Sequence, residues 1–275
     1  MPDQIDISKM DSVGLQMKGH LRIRHYWKSA TSDYWDDLWD HTASKEYWRN
    51  AMAGLLPAGL EGVICRCLSQ GAKILEAGCG NGHLVISLRQ NGYDCHGLDY
   101  AERTITVLKG HFPEMPFTQG DIRNLPYESE FFDAYISLGV MEHFTEGQEQ
   151  MLAEAARVLK PGGKILLSVP AVNAYRLWRY KVGLYKNSSD RPFFEDCYTL
   201  SELKNLLHKA GFSYLEHHYQ NPVMTFVQES FLRPLYFFVE DTRFTRSIID
   251  RTLNFILPKQ WFGHMLLIVG EKGDN

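Results

Sequence analysis

The 275-residue sequence predicts a doubly wound α/β domain with seven mostly parallel strands, the last of them antiparallel. Three observations lead there. From Ala72 onward, short apolar runs alternate with longer helical patterns, as in a parallel sheet covered by helices on both faces. The runs KILEA and KILLSV are almost continuously apolar, as strands buried on both sides must be. A glycine-rich turn then follows the first run, where a strand gives way to a helix.

The elements follow in order. Residues 25 to 50 are dense in aromatics, with Trp27, Tyr34, Trp35, Trp39, Tyr47 and Trp48 in one stretch. Trp35 and Trp39 are one helical turn apart and share a face, and residues 44 to 56 also carry a helical pattern. Gly54, Pro57 and Gly59 end this segment. AKILEAG precedes a helix over 82 to 90, and CHGLD precedes one over 101 to 110. PFTQGD and FDAYISLG come next, then a helix over 146 to 159 and the strand KILLSVP. Asn91-Gly92 and Lys160-Pro161-Gly162-Gly163 stop two of these helices. Residues 171 to 197 show no clear strand periodicity. Thr199 or Ser201 caps a helix that runs to Ala210, FSYLEHHY is a strand, and HMLLIVGEK closes the sheet. Between those last two strands, Phe244, Ile248, Ile249, Leu253 and Ile256 mark one apolar helical face within 223 to 257. The expected organisation is therefore an N-terminal helical cover (1–70), an α/β core (71–222), a helical insertion (223–260) and a final core strand (261–275).

Composition narrows the function. Hydrophobic residues make up 44% and charged ones 23%, so a sizeable core can be buried. With 29 Lys+Arg against 33 Asp+Glu the net charge is −4, and no basic block is present, which argues against a nucleic-acid partner. The cysteines Cys65, Cys67, Cys79, Cys95 and Cys197 form no C-x-x-C pair, and reduced thiols in the cytoplasm are expected. Residues 1 to 12 contain no apolar signal core, and no apolar run approaches the ~18 residues of a membrane span. His217 and His218 lack nearby partners at ligand spacing, so no metal is expected.

The chemistry concentrates in Leu75-Glu76-Ala77-Gly78-Cys79-Gly80-Asn81-Gly82. Three glycines at alternate positions let the backbone turn sharply and approach a ligand closely. Asp99 ends the next strand about twenty residues later, where an acid can accept hydrogen bonds from ribose hydroxyls. A nucleoside-bearing cofactor fits both features. The dinucleotide fingerprint requires glycine at position 83, where this chain has His83, and Glu76 stands just before the turn. Both departures argue against NAD.

LEAGCGNG, the acid in LDYA, GDIRNLPY, FDAYISLGVMEHF and RVLKPGGKILLSVP, in this order and spacing, resemble the successive motifs of the class I S-adenosylmethionine-dependent methyltransferases. The likeness is to their small-molecule branch, which includes ubiquinone-pathway enzymes, and covers about residues 70 to 220. It implies the Rossmann-like methyltransferase fold and S-adenosylmethionine as cofactor. It also implies roles. Glu76 would orient the methionine end, with Gly78, Cys79, Gly80 and Gly82 passing close beside it. Asp99 would hold the ribose and Tyr100 would lie against the adenine. Asp121 would accept from the adenine amino group, Ile122 would wall it, and Leu138 and Gly139 would pass near cofactor and acceptor. Asp121 as a capping acid and Tyr100 as a core aromatic are the plainer alternatives.

The expected reaction is methyl transfer to a small or medium organic acceptor, at a hydroxyl oxygen. Methyl transfer is an in-line displacement, so the protein mainly aligns the reactants and excludes water. A hydroxyl needs a base, and His143 in MEHF is the best-placed candidate, with Glu142 a weaker one and bracing of the loop the alternative role. The aromatic segment from Tyr26 to Trp48 is either a lid over the sulfonium or the anchor of a docked helix. Residues 223 to 257 depart from the family's short final turn. Phe226, Val227, Phe231, Leu235, Tyr236, Phe237 and Phe238 there suit an apolar or aromatic acceptor, with a homodimer face as a second option. A membrane-surface role is disfavoured because Glu229, Glu240, Asp241 and Asp250 offset Arg243, Arg246 and Arg251. Two other functions compete. One is an NAD-dependent or nucleotide-sugar oxidoreductase, against which stand His83 and the lack of a Tyr-x-x-x-Lys pair. The other is a non-catalytic S-adenosylmethionine-binding protein, against which stand Glu76, Asp99 and Asp121.

Overall fold

The computed structural model describes residues 10–42, 45–57, 59–229 and 252–274. Its N-terminal part is β1 (Asp11–Met17), β2 (His20–Tyr26), α1 (Ser32–Thr42), α2 (Lys45–Met52) and α3 (Glu61–Cys67). The core continues with β3 (Lys73–Ala77), α4 (His83–Gln90), β4 (Asp94–Asp99), α5 (Glu102–His111), β5 (Phe117–Gln119) and β6 (Phe132–Leu138). A 3-10 turn (Met141–His143) leads to α6 (Gln148–Val158) and β7 (Leu159–Pro170). Then come α7 (Ala174–Lys181), β8 (Phe193–Cys197), α8 (Leu200–Lys209), β9 (Phe212–Gln220), α9 (Pro222–Glu229), α10 (Lys259–Phe262) and β10 (Met265–Lys272).

Seven strands form the expected sheet in the order β5-β4-β3-β6-β7-β10-β9, with β10 antiparallel to both of its neighbours. Alternate side chains of each strand feed two apolar layers, as the two-residue period requires. Leu75, Ala77, Tyr135, Leu167 and Ile268 pack on one face against Met151, Leu152, Leu203 and Leu207 of α6 and α8. Ile74, Cys95, Ile136, Leu166 and Val269 pack on the other against Ile64, Leu84, Leu88 and Ile105 of α3, α4 and α5. The Lys-Pro-Gly-Gly stretch interrupts pairing: Phe132 faces Leu159, yet Ala134 already faces Lys164. Lys160 Nζ reaches back to Asp133 at 2.7 Å and closes that bulge.

The N-terminal cover differs from expectation. Residues 11–26 are not helical; β1 and β2 form an antiparallel hairpin, and β8 extends it into a second sheet of order β1-β2-β8. Lys18 and Gly19 turn the hairpin with φ of 48° and 84°, a two-residue loop whose twist matches the strands. The supposedly irregular stretch 171–197 supplies both β8 and α7. Asn173 caps α7 by accepting from Arg176 N, and Thr199, rather than Ser201, caps α8 by accepting from Glu202 N.

The small sheet is held by buried charge. Arg22 donates to Glu202 at 2.9 and 2.6 Å and to Asp196 at 2.9 Å, and Arg24 donates to both oxygens of Asp196 at 2.8 Å. His25 Nδ1 lies 2.8 Å from Glu195 Oε1. Of the expected insertion, α9 and a helical stretch at 252–256 are seen. The remainder of the predicted apolar face, with Phe231, Leu235, Tyr236, Phe237, Phe238, Arg243, Phe244, Arg246, Ile248, Ile249 and Arg251, lies outside the described residues. No helix among the described residues is long and apolar enough to cross a membrane.

Candidate functional site

The carboxyl ends of β3, β4 and β6 open into a cavity of about 430 Å³. Its walls include Glu76, Gly78, Cys79, Gly80, Asp99, Tyr100, Asp121, Ile122, Leu138 and His143, so the sheet gathers these sequence-selected residues into one place. This is the crevice where open α/β sheets take ligands. Gly82 is the exception. It is the N-cap of α4 with φ 73°, and a Cβ there would stand 2.9 Å from Leu108 and Phe117, so it serves close packing of helix on sheet rather than the cavity wall.

The turn after β3 is shaped by its own backbone bonds. Gly78 N and Cys79 N both donate to Leu98 O, at 2.7 and 3.0 Å. Gly80 N donates to Asp99 Oδ2 at 2.8 Å, while Asp99 Oδ1 accepts from Ala101 N at 3.0 Å. The Asp99 carboxylate thus keeps acceptor capacity for a ligand. A side chain at Gly78 would meet Val140 at 2.3 Å, and one at Gly80, where φ is 49°, would meet the Trp39 ring at 2.6 Å. The backbone must therefore pass bare beneath its cover.

The electrostatics are acidic. Glu76 is 4% exposed, and its Oε2 has no hydrogen-bond partner. Burial, reinforced by Asp99, pushes the Glu76 carboxyl well above the usual carboxylate range. Burial also raises Asp99, against the backbone N–H groups that it accepts from. Asp121 behaves differently, since hydrogen bonds from the Arg123 side chain hold it below its ordinary value. Arg123, absent from the sequence candidates, lines the cavity as the partner of Asp121.

The aromatic segment is a lid. Trp35 and Trp39 both line the cavity and stack on one another at 6.3 Å between centroids. Trp27 and Tyr34 brace the lid from behind, each packing edge-on against Phe194 of β8. Polar bonds fix α1 in place: Asp36 Oδ1 accepts from Thr104 N and Oγ1 at 2.8 and 2.9 Å, capping α5 from another helix. Tyr100 lines the cavity and donates to Ala30 O at 2.9 Å. Trp48 instead donates from Nε1 to Asn81 O and braces the glycine turn.

At the far end stands His143, on the turn after β6. Its ring lies 4.8 Å from that of Trp35 and 5.0 Å from that of Phe194. Nδ1 is 2.8 Å from Phe194 O, which makes Nδ1 the protonated nitrogen and leaves the Nε2 lone pair available. Burial holds the ring below its ordinary pKa, against the pull of Glu195. Glu142 is not on the cavity wall; it is 2% exposed, its Oε2 has no partner, and burial raises its carboxyl far above the usual range.

These features suit a ligand with positive centres and a nucleoside. A buried carboxyl oxygen without a partner suits a cationic donor, the aromatic faces of Trp35 and Trp39 attract a cation, and an acid at the end of the second core strand suits ribose hydroxyls. A pyrophosphate would instead set two negative charges near Glu76.

Comparison with known proteins agrees. Residues 75–167 match the model of a methyltransferase domain family. A probable S-adenosylmethionine-dependent methyltransferase of Mycolicibacterium smegmatis is 31% identical over 142 residues, covering 52% of each chain. A tRNA (carboxymethyluridine(34)-5-O)-methyltransferase of Arabidopsis thaliana is 38% identical over 104 residues, or 37% of this chain and 25% of that one. The chain spans about half the length of the mycobacterial relatives it matches. Among solved structures, a TehB-like S-adenosylmethionine-dependent methyltransferase from Corynebacterium glutamicum superposes with a TM-score of 0.52 at 21% identity, covering 88% of this chain and 97% of that one.

Proposed function

We propose that this chain, which belongs to the class I S-adenosylmethionine-dependent methyltransferases, transfers a methyl group to a hydroxyl oxygen of a small or medium organic acceptor with an apolar or aromatic body. The observation that carries the reading is the buried Glu76, whose Oε2 has no hydrogen-bond partner, in one cavity with Asp99 and a bare glycine turn beneath Trp35 and Trp39. When bound, S-adenosylmethionine supplies an electrophilic methyl group on a sulfonium. The chain's residues bind and shield it. Glu76 takes the amino group of the methionine end, Asp99 the ribose hydroxyls and Tyr100 a face of the adenine. Asp121 and Ile122 take the adenine edge.

Beyond Leu138 and Gly139 lies the acceptor end. Trp35 and Trp39 exclude water there, which strengthens alignment of the acceptor oxygen with the methyl group. His143 governs loss of the hydroxyl proton, and in the metal-free protein its Nε2 lone pair takes that proton. The oxygen so freed would be held in line with the methyl group that the cofactor would supply.

The acceptor is inferred from the lid. Its mouth is aromatic, and the chain carries a net charge of −4, which supports an organic acceptor over RNA even though the Arabidopsis relative is named for tRNA. Incubation with S-adenosylmethionine and pooled metabolite fractions, followed by S-adenosylhomocysteine release and mass analysis, tests this. The expected result is product with one organic fraction, which gains one methyl group at oxygen. Product with tRNA alone would move the acceptor to nucleic acid. Cofactor binding without turnover on any fraction would leave a non-catalytic binding protein.

A further inference from the structure

We infer that Glu142, His143 and Glu195 form a binding site for one divalent cation directly behind the acceptor end of the cavity. Each of the three brings a carboxylate oxygen or ring nitrogen to within 4.8 Å of the other two, and no other trio of His, Cys, Asp or Glu among the described residues gathers in this way. The inference rests on reading this end of the cavity as the methyl-acceptor site.

An independent observation points to a ligand here. Glu142 is 2% exposed, yet its Oε2 has no hydrogen-bond partner. A buried carboxyl oxygen left unmatched is costly, and the Glu195 carboxylate close by further disfavours the charged form that Glu142 would take without a cation. Glu195 is partly answered by His25 at 2.8 Å, but this leaves Glu142 Oε2 unanswered. A cation shared by both acids removes the repulsion and supplies the missing partner.

The surroundings resemble the outer shell of a metal site. A ligating histidine donates its other ring N–H to a carbonyl or carboxylate, and ligating carboxylates are themselves hydrogen-bonded. His143 Nδ1 engages Phe194 O at 2.8 Å, which leaves Nε2 as the coordinating atom, and Glu195 is held by His25. Two carboxylates with one imidazole suit a hard to borderline cation such as Mn²⁺ or Mg²⁺, and three protein ligands leave coordination positions open.

Of the three residues only His143 is on the cavity wall, and it sets the cation beside the acceptor end. Glu142 Oε1 lies 3.5 Å from where a side chain on Gly139 would begin, and Gly139 lines the cavity. A cation there takes the acceptor oxygen as a further ligand and lowers the pKa of its hydroxyl, so that the proton is lost to solvent as the acceptor enters, before water is excluded. His143 is then a ligand, and the cation does the work that the bare imidazole does in the metal-free protein.

The test is titration of the chelator-stripped chain with Mn²⁺, read by loss of the free-ion electron paramagnetic resonance signal, beside calorimetry with S-adenosylhomocysteine. The expected result is one Mn²⁺ per chain, with binding weakened at least about tenfold in each of Glu142→Gln, Glu195→Gln and His143→Ala. A wild-type chain that binds S-adenosylhomocysteine but takes up no Mn²⁺ at about 1 mM overturns the cation site alone. Equal Mn²⁺ uptake by the wild type and folded variants also overturns it. Mn²⁺ uptake that depends on the three residues, without S-adenosylhomocysteine binding, upholds the cation site and overturns the methyltransferase reading.

Discussion

The two sheets solve the same problem by opposite means. The seven-stranded sheet is held by apolar layers, in which Ile74, Leu75, Ile136, Leu166 and Leu267 are at most 1% exposed. The three-stranded sheet has a small apolar cluster around Leu21, Ile23, Val172 and Cys197 and joins its strands through Arg22, Arg24, His25, Glu195 and Asp196. Apolar burial is non-directional and tolerates a backbone that turns away at the strand ends, which is where the cofactor crevice opens. Buried ion pairs are directional and fix one register, although they are weak evidence of net stability. The large sheet thus places the residues proposed to hold the cofactor, while the small one carries Phe194 and Glu195 to the proposed acceptor end beside His143.

The sharpest way to break this division is to remove one charge from the small sheet. Arg22→Ala leaves the carboxylates of Glu202 and Asp196 without that partner, and the expected loss is about 3–5 kcal/mol, measured by urea unfolding. Affinity for S-adenosylhomocysteine should stay within about twofold, as for distant, independent sites. A loss of cofactor binding in chains that remain folded would show that the two sheets are not separable in function.

At the boundary between them, His143→Ala should lower turnover by about 10²–10⁴-fold. Cofactor affinity should again change by less than about twofold. Steady-state kinetics on the identified acceptor checks the first statement and calorimetry the second; full activity would assign the histidine to bracing.

Within the large sheet, Asp99→Ala should weaken cofactor binding by about 1–3 kcal/mol, as when hydrogen bonds to a charged group are lost. The same change frees Gly80 N and Ala101 N, so part of the loss comes from a looser glycine turn. Unchanged affinity would remove Asp99 from the site.

The smallest effect concerns Glu76. Burial raises its pKa in the free protein, and an incoming ammonium group lowers it, so binding should release protons. The sign is that affinity rises with pH until the free carboxyl is ionised, by at most about tenfold per pH unit for one proton. Binding heats in buffers of different ionisation enthalpy should reveal the release, and Glu76→Gln should abolish it. Buffer-independent heats would contradict the placement of Glu76 beside a cation.

The same contrast explains what could be read from sequence. KILEA, KILLSV and the glycine turn announce themselves because parallel strands buried on both faces are apolar throughout and a close backbone approach demands glycine. The cavity wall was therefore legible almost residue by residue, apart from Gly82, whose packing role looks identical in sequence, and Arg123, whose pairing with Asp121 is only two residues long. The small sheet was not legible. Its strand FFEDC buries Glu195 and Asp196, which hydropathy reads as surface, and its hairpin turns on Lys18-Gly19 rather than the usual Asn-Gly. The acceptor end was hidden by distance, since His143 and the residues of β8 that meet it are about fifty positions apart. The lid lay between these cases: the helical spacing of Trp35 and Trp39 placed them on one face, but only the docking of α1 on Thr104 and Phe194 turns that face toward the cavity.

The central claim is that the crevice of the large sheet receives a nucleoside joined to a cationic amino acid and rejects a dinucleotide. Calorimetric titration of the chain with S-adenosylhomocysteine and, separately, with NAD tests it most directly. Saturable one-site binding of S-adenosylhomocysteine and no heat with NAD are expected; tight binding of NAD with none of S-adenosylhomocysteine would contradict it.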